Sequence, residues 1–423
     1  MKSLLLVLPF CLISVFARSQ KNQFQVLLDS GKNEFKRQAA ETNANYSKAY
    51  NVLSIAVKLN PDNAEARYFL GYAIDRMNSD DGTKMIFTKK ELCLEASEQF
   101  EKVIKLQEVY SGETVILDPY SKIGCIWGSL GLAYLSRNQI DSARWAFQQG
   151  KARGGFIDPL LEYNRQMLNS CNKDAILITF GDNITIPSLY LQTIENFRTD
   201  ITVVDASLLN AAWYPKYLKN FRNLKMGLSD VEIDTIDYIS WKPTKISIIN
   251  PGDTTQLFNW IMKPSYYGEY ILKGDRMFLN ILKSNLFIRD FYFSGVADSS
   301  YNLSLTDYII DDGIVTRVIL KKNDLTTPTT IVSKNLSVYS IDKLDTSEIK
   351  KSRDAIVVLN GFRATYMDNS YFLFTKGDFN KALTLMNNME RKFPKEKLPY
   401  LSDEYEAQAL QLVDMIKRRI PKN

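Results

Sequence analysis

The 423 residues contain no histidine. A chain without imidazole cannot build a Ser–His or Cys–His nucleophile or a histidine-ligated metal centre. Cysteine is nearly as scarce. Of four, Cys11 falls in an N-terminal apolar run, leaving Cys93, Cys125 and Cys171. Their number is odd and their spacings match no zinc or redox pattern. Cys93 and Cys125 sit in helical apolar patterns and read as small buried hydrophobes. An excess of one charge is also missing. There are 53 Lys+Arg against 48 Asp+Glu, and removing Lys2 and Arg18 with a leader leaves 51 against 48. So small and dispersed an excess argues against nucleic acid or an anionic surface as partner. No phosphate-cradling G-x-x-x-x-G-K-[ST] loop occurs. After Phe16 no apolar run approaches the ~20 residues of a membrane helix.

What is present begins with a leader. Lys2 precedes the apolar run Leu4–Phe16, and Ala17-Arg18-Ser19 offers small residues at the two positions a signal peptidase reads. This pattern predicts a cleaved signal over residues 1–19, with Gln20 as the new N-terminus. The alternative is an uncleaved anchor. Pro9-Phe10 before Cys11 are not the small residues of a lipoprotein site. The mature chain is then expected to be soluble, without a transmembrane segment, and periplasmic or secreted.

Residues 20–171 carry apolar positions at three- and four-residue steps throughout, which predicts helices. Trp127-x-x-Leu130-Gly131-x-x-Tyr134 is followed by Ala143-x-x-x-Phe147. This is similar to the tetratricopeptide repeat, in which small residues let two antiparallel helices nest and aromatics fill the space between pairs. Earlier parts of the same pattern are Leu70-Gly71 with Ile74, then Ala96-x-x-x-Phe100 with Val103 after an insertion near 79–89. Ala49-x-x-x-Leu53, Ala56 and Pro61 form another. Gly377-Asp378 leads into Ala382-x-x-x-Met386, Met389 and Pro394, at the spacing of Ala49 to Pro61. A last helix is expected over about 402–419.

Between these segments the texture changes. Ala175–Phe180 and Ile201–Val204 read as buried strands, and Pro187–Phe197 and Ala211–Asn220 as helices, with Pro187 suited to a first helical turn. Strand, helix, strand, helix at this spacing predicts a βαβ unit and a parallel sheet. Lys245–Ile249 is expected as a third strand, Tyr270–Ser284 as a helix, and Phe287–Ser294 and Ile314–Leu320 as further strands. The expected architecture is α plus α/β: tetratricopeptide-type helices (20–171 and 341–423) flanking a central α/β domain (172–340) with a mostly parallel sheet.

One run of words in this middle segment resembles a known family. Gly181-Asp182-Asn183-x-Thr185-x-Pro187 leads to Tyr190-Leu191-Gln192, Arg198-Thr199-Asp200, Val203-Val204, Ser207-Leu208-Leu209-Asn210 and Trp213-Tyr214. The order continues through Asp275, Leu279, Asn285 and Arg289-x-Phe291-Tyr292-Phe293 to Gly377-Asp378. It resembles the soluble extracytoplasmic part of a bacterial membrane protein family of unknown function related to protein O-mannosyltransferases, over roughly 175–400. The multi-pass region that would carry glycosyl transfer has no counterpart here. Ile184 stands where that family usually has an acid, and Asp290 where it usually has proline. The resemblance implies a shared domain, not a shared activity.

Two sets of residues are candidates for binding. Gly181, Asp182 and Asn183 follow a strand and precede a helix, the place where open parallel sheets bind ligands. Asp205 ends the neighbouring strand, so Asp182 and Asp205 side by side could hold sugar hydroxyls or a hard cation. Asn210 and Trp213 stand nearby. Against this, Asp and Asn also cap helices and Gly permits turns, and Trp213 can simply pack a helix onto the sheet. Arg289 is expected to pair with Asp275 or Asp290. The second set, Tyr68, Tyr72, Asp75 and Arg76, shares one helical face and would line a partner groove; the plainer alternative is a solvated face. No nucleophile stands out. The leading expectation is an exported, non-catalytic interaction or scaffold protein that binds a protein or peptide partner in the envelope without a cofactor. Alternatives are a glycan or glycoprotein binding module and a carboxylate-dependent glycoside-processing enzyme.

Overall fold

In the computed structural model, residues 7–41, 43–79, 82, 84–295, 301–322 and 334–421 are described, with side chains from residue 21 onward. The segment 1–19 expected as a leader lies outside the described residues, save for the backbone from Val7, which opens the first helix.

Seven helices come first: α1 (Val7–Ala39), α2 (Ser47–Leu59), α3 (Ala64–Asn78), α4 (Lys90–Leu106), α5 (Pro119–Leu135), α6 (Ile140–Ala152) and α7 (Asp158–Ser170). Their limits follow from local chemistry. The Asn63 side chain accepts from the Ala66 amide to start α3, and Asp118 accepts from Ser121 with Pro119 at the first position of α5. In α2 the spacing Ala49, Leu53, Ala56, Val57 makes one buried stripe. From α1 to α6 each helix packs on the next. Gly71 lies under Phe100 and Gly131 under Phe147; a Cβ at either glycine would come within 3 Å of the ring.

The middle of the chain holds β1 (Ile176–Thr179), α8 (Asp182–Ile194), β2 (Thr202–Asp205), α9 (Trp213–Phe221) and α10 (Asp230–Thr235). Then come β3 (Ile239–Ser240), β4 (Thr244–Asn250), β5 (Asp253–Met262), β6 (Tyr270–Ile271), α11 (Lys273–Asn285), β7 (Phe291–Ser294), β8 (Ile309–Asp311) and β9 (Val315–Val318). The main sheet has the order β2-β1-β7-β9-β8. Ile176 pairs in parallel with Thr202 on one side and Phe291 on the other, whereas β7–β9 and β9–β8 are antiparallel. The sheet is therefore mixed, not mostly parallel. Lys245–Ile249 does not join it. β4 pairs with β5 as a separate hairpin, Ile246 opposite Trp260 and Ile248 opposite Phe258. Ile246 and Ile248 are buried and Lys245, Ser247 and Ile249 exposed, the alternation of a sheet wet on one side. The turn at Pro251-Gly252 brings the chain straight back, and a parallel pairing would need a long crossover.

Pro187 also departs from expectation, for it lies inside α8 and not in its first turn. Its ring removes the amide that the Asn183 carbonyl would accept from. Asn164 Nδ2 on α7 fills the gap at 2.9 Å, while Asn164 also accepts from Ser188 Oγ. A proline that would weaken α8 thus becomes the point where α7 is bolted to it.

The chain ends in α12 (Thr346–Lys350), α13 (Arg353–Thr375), α14 (Phe379–Lys392) and α15 (Asp403–Lys417). One apolar core runs from Leu132 through the sheet to Ile416, without a break at 171 or at 340; a second holds α1 to α4 and the first half of α5. α13 packs on α7. The start of α13 also meets the start of α5. Asp118 Oδ2 accepts from the Asp354 amide and from Ser352 Oγ, and Asp354 Oδ2 accepts from the Asp118 amide at 2.8 Å. Two helix N-termini, with their unpaired amides and positive dipole ends, are thereby closed on each other by the N-cap Asp118 of α5 and the first-turn Asp354 of α13. Burial, then the Asp354 carboxylate beside it, raises the Asp118 carboxyl to about 6.

A folded-state carboxyl above its unfolded value of 3.8 binds more protons folded than unfolded between those two values, so its contribution to stability falls as pH rises through that window. Urea midpoints of the wild type are therefore expected to drop between about pH 4 and pH 6 relative to those of Asp118→Asn, whose difference curve flattens outside that window. Parallel curves across the window would show that Asp118 does not titrate there.

Candidate functional site

α5 supplies the floor of the site. Every residue of this helix except Tyr134 is buried, and a single charge, Lys122, sits among them. Lys122 Nζ lies 2.5 Å from Asp75 Oδ2 on α3 and 4.7 Å from the Tyr72 ring. Burial, the largest influence, depresses the Lys122 amine, but the Asp75 carboxylate together with the neighbouring Cys125 leaves its pKa raised. The ion pair closes one end of a cleft of about 140 Å³ lined by Tyr72, Asp75, Arg76, Gly82, Lys122, Cys125, Ser129 and Asp182, among others. The Cys125 thiol shares the cleft with the Asp182 carboxylate, and burial, reinforced by that charge, pushes the thiol far above its ordinary range. It is an unreactive thiol, not a nucleophile. Cys93, Cys125 and Cys171 are all free and buried.

The cleft brings together members of both candidate sets. Asp182, at the first turn of α8, faces Asp75 and Arg76 of α3 across it. The other members are placed differently. Gly181 takes φ +81°, which only glycine adopts cheaply, and starts α8. Asn183 contributes its carbonyl to Asn164. Asp205 does not stand open beside Asp182. It is buried, accepting from Thr185 Oγ1 at 2.6 Å and from the amides of Ser207 and Leu208. Desolvation raises its carboxyl. The open carboxylate pair expected for a sugar or hard cation is thus not formed, because Asp205 satisfies the turn that follows its own strand. Asn210 accepts from the Gly274 amide and donates to Ser207 O, tying that turn to α11. Trp213 is half-buried, and its indole N–H donates to Gly82 O at 2.8 Å, fastening the α3–α4 insertion onto the α/β part. Arg289 pairs with neither Asp275 nor Asp290. It donates to the carbonyls of Asp174 and Ala175 and to Thr202, bracing the ends of β1 and β2. Among the described residues no three acid or thiol side chains converge on a metal position.

Tyr68 and Tyr72 are not exposed aromatic platforms either. Both are at most 1% exposed, because the connector Gln107–Asp118 between α4 and α5 lies over them. Tyr68 Oη accepts from the Val115 amide at 2.9 Å and donates to Leu117 O at 2.7 Å; Tyr72 Oη accepts from the Leu117 amide at 2.8 Å. Helical spacing put these side chains on one face correctly, but could not show what covers it. Lys122 was missed, although its signal is plain: one charge in an otherwise uncharged 17-residue helix. A larger groove of about 490 Å³ lies beside β5, lined by Lys245, Lys263 and Lys322 among others, but none of the candidate residues reaches it.

A mixed α/β fold with a polar cleft between its helical and sheet-bearing parts is the class defined by these elements. Residues 161–239, from α7 to the start of β3, match the family model described as TMEM260-associated domain 2. This similarity fits the resemblance carried by Gly181 to Tyr214. No curated protein matches the chain. No described helix is long and apolar enough to cross a membrane.

Lys122→Met leaves Asp75 buried without its counter-charge and is expected to cost about 3–5 kcal/mol in urea unfolding. Asp75→Leu with Lys122→Met should recover most of that loss. A double variant as unstable as the single one would show that the pair is not the source.

Proposed function

We propose that this chain is an exported, non-catalytic interaction protein whose helical repeats hold a protein or peptide partner in the cell envelope. The observation that carries this reading is the way Tyr68 and Tyr72 bind main chain. Their hydroxyls hold the backbone of the bent connector at Val115 and Leu117, main-chain contacts of the kind a peptide groove makes. The repeat reading draws support from the recurrence of one packing unit, glycine under phenylalanine with a small alanine four residues before the ring. It occurs at Gly71, Ala96 and Phe100 and again at Gly131, Ala143 and Phe147. Such units stack because a single helix pair cannot bury its apolar face. Export draws support from Lys2, the Leu4–Phe16 run and Ala17-Arg18-Ser19. A non-catalytic role draws support from the missing histidines, the inert Cys125 and the sequestered Asp205.

A glycan or glycoprotein ligand is the second reading. Asp182 and Arg76 on opposite walls of the cleft favour it, since a carboxylate and a guanidinium both hydrogen-bond hydroxyls. Glycoside processing is not proposed, because Asp205 serves its own turn and Asp75 its lysine, so Asp182 has no second open carboxylate.

Panning the chain from residue 20 onward against a library of random peptides tests the first reading. Enriched peptides are expected to lose about tenfold in affinity on Arg76→Glu, a loss of the size of one partly desolvated charge contact. No enrichment even with residues 109–116 of the connector replaced by glycine and serine, or turnover of a peptide or glycan by the purified protein, would count against it. Titrating a glycan panel against wild type and Asp182→Ala tests the second: Asp182-dependent binding of a glycan, with no peptide enriched, would replace the first reading.

A further inference from the structure

The α4–α5 connector is long for its position. Repeat helices are joined by short turns, yet twelve residues without regular structure separate Leu106 from Pro119. They are not loosely draped. The Tyr110 ring stacks on Tyr68 with centroids 4.7 Å apart and planes at 17°. Glu113 reaches Lys32 of α1 at 2.8 Å and Lys36 at 2.6 Å, and its amide donates to Glu65. Val115 and Leu117 then give their amides to Tyr68 and Tyr72. The contacts fall on residues 113, 115 and 117, and the chain bends at Gly112 and over Val115–Leu117 to make them. Between them, Ile116 is 60% exposed, and Val109 at the connector's start is 61% exposed. Ile116 and Leu117 also form part of the wall of the cleft that holds Lys122 and Asp182.

We propose that this connector is an internal occupant of the groove on α1 and α3, holding it shut against external peptides. The proposal rests on the interaction reading above and makes it specific. The partner is an acidic peptide with an aromatic residue, a glutamate three positions later, and apolar residues two and four beyond that, the pattern Tyr110, Glu113, Val115, Leu117. The groove reads it through two tyrosine hydroxyls on the backbone and two lysines on the acid. A segment tethered at both ends competes at high effective concentration, so the intact chain binds such a peptide weakly. Displacing the connector also uncovers the wall of the cleft toward Lys122 and Asp182. Groove and cleft are then one site, of which the structure shows the closed form.

The test uses the full chain with residues 109–116 replaced by glycine and serine at equal length. The probe is a fluorescent synthetic peptide with the sequence of residues 108–118. The replaced chain is expected to bind it saturably, at least tenfold tighter than the intact chain does. The peptide carrying Glu113→Lys, and the replaced chain carrying Lys32→Ala and Lys36→Ala, should each bind about tenfold more weakly, as two partly buried ion pairs warrant. A folded replaced chain with no saturable binding would overturn the proposal, as would equal binding by the intact chain. Failure of the replaced chain to fold would also overturn it, by showing that the connector is core. In the intact chain, the amides of Val115 and Leu117 should exchange with solvent at least tenfold faster than that of Ile126. Exchange only through global unfolding is the contrary result. If library peptides bind the intact chain while the connector peptide never binds the opened one, the interaction reading stands and the connector proposal alone fails.

Discussion

How closely other elements can approach α5 sets the rest of the structure. Three glycines on this helix, each opposite a different neighbour, decide it. Gly124 touches the backbone of Gly155, where a Cβ on Gly155 would lie 2.5 Å from the Gly124 nitrogen. Gly128 faces Ile186 of α8, which a Cβ would meet at 2.1 Å, and Gly131 faces Phe147 of α6. Close-packed interiors do not absorb a methyl group at such distances without displacing the neighbour. α5 therefore serves at once as a member of the helical part and as the surface on which the α/β part is seated. The two apolar cores meet along it, one on the Ile123–Leu130 stretch and the other from Leu132 onward.

Burial on all sides raises the cost of the polar groups α5 carries; its charged groups meet that cost with specific partners, whereas Ser121 Oγ is buried without one. Asp118 at its N-cap is spent on α13 and Lys122 on Asp75, and Cys125 lies beside Asp182 in the cleft. These pairings reach the C-terminal helices, α3 and α8 respectively. Polar contacts of this kind add little net stability, but a broken one leaves a buried charge or donor unmet, so they select one arrangement over others of similar burial. The cleft is the gap left where three such elements meet without quite closing. The connector Gln107–Asp118 covers it because the chain must pass over the groove on its way from α4 to the buried start of α5.

The same economy governs the α/β part. Pro187 deprives Asn183 of its helical donor and Asn164 supplies one; Asp205, Asn210 and Arg289 each close a backbone gap at a strand end or a turn. Residues that look like binding chemistry in a string of letters are here mostly occupied in holding the sheet to its turns. Asp182 is the exception, open on the side facing α3.

Most helices and the strands β1, β2, β4, β7 and β9 were legible, because periodicity and cap residues act within one or two turns, whereas β5, the longest strand, and the short β3, β6 and β8 were not. Trp127, Gly131, Ala143 and Phe147 predicted a nested pair, and Ala175–Phe180 a buried strand, from neighbours alone. The composition likewise excluded imidazole chemistry outright. The pairing of β4 with β5, the antiparallel half of the sheet and the fate of Asp205 were not legible. Each depends on a partner tens of residues away, and the same alternation of apolar residues serves either pairing. The burial of Tyr68 and Tyr72 belongs with these. A helical face is written in i, i+4 spacing, but whether it meets solvent or another part of the chain is decided only when α4, its connector and α5 are folded over it.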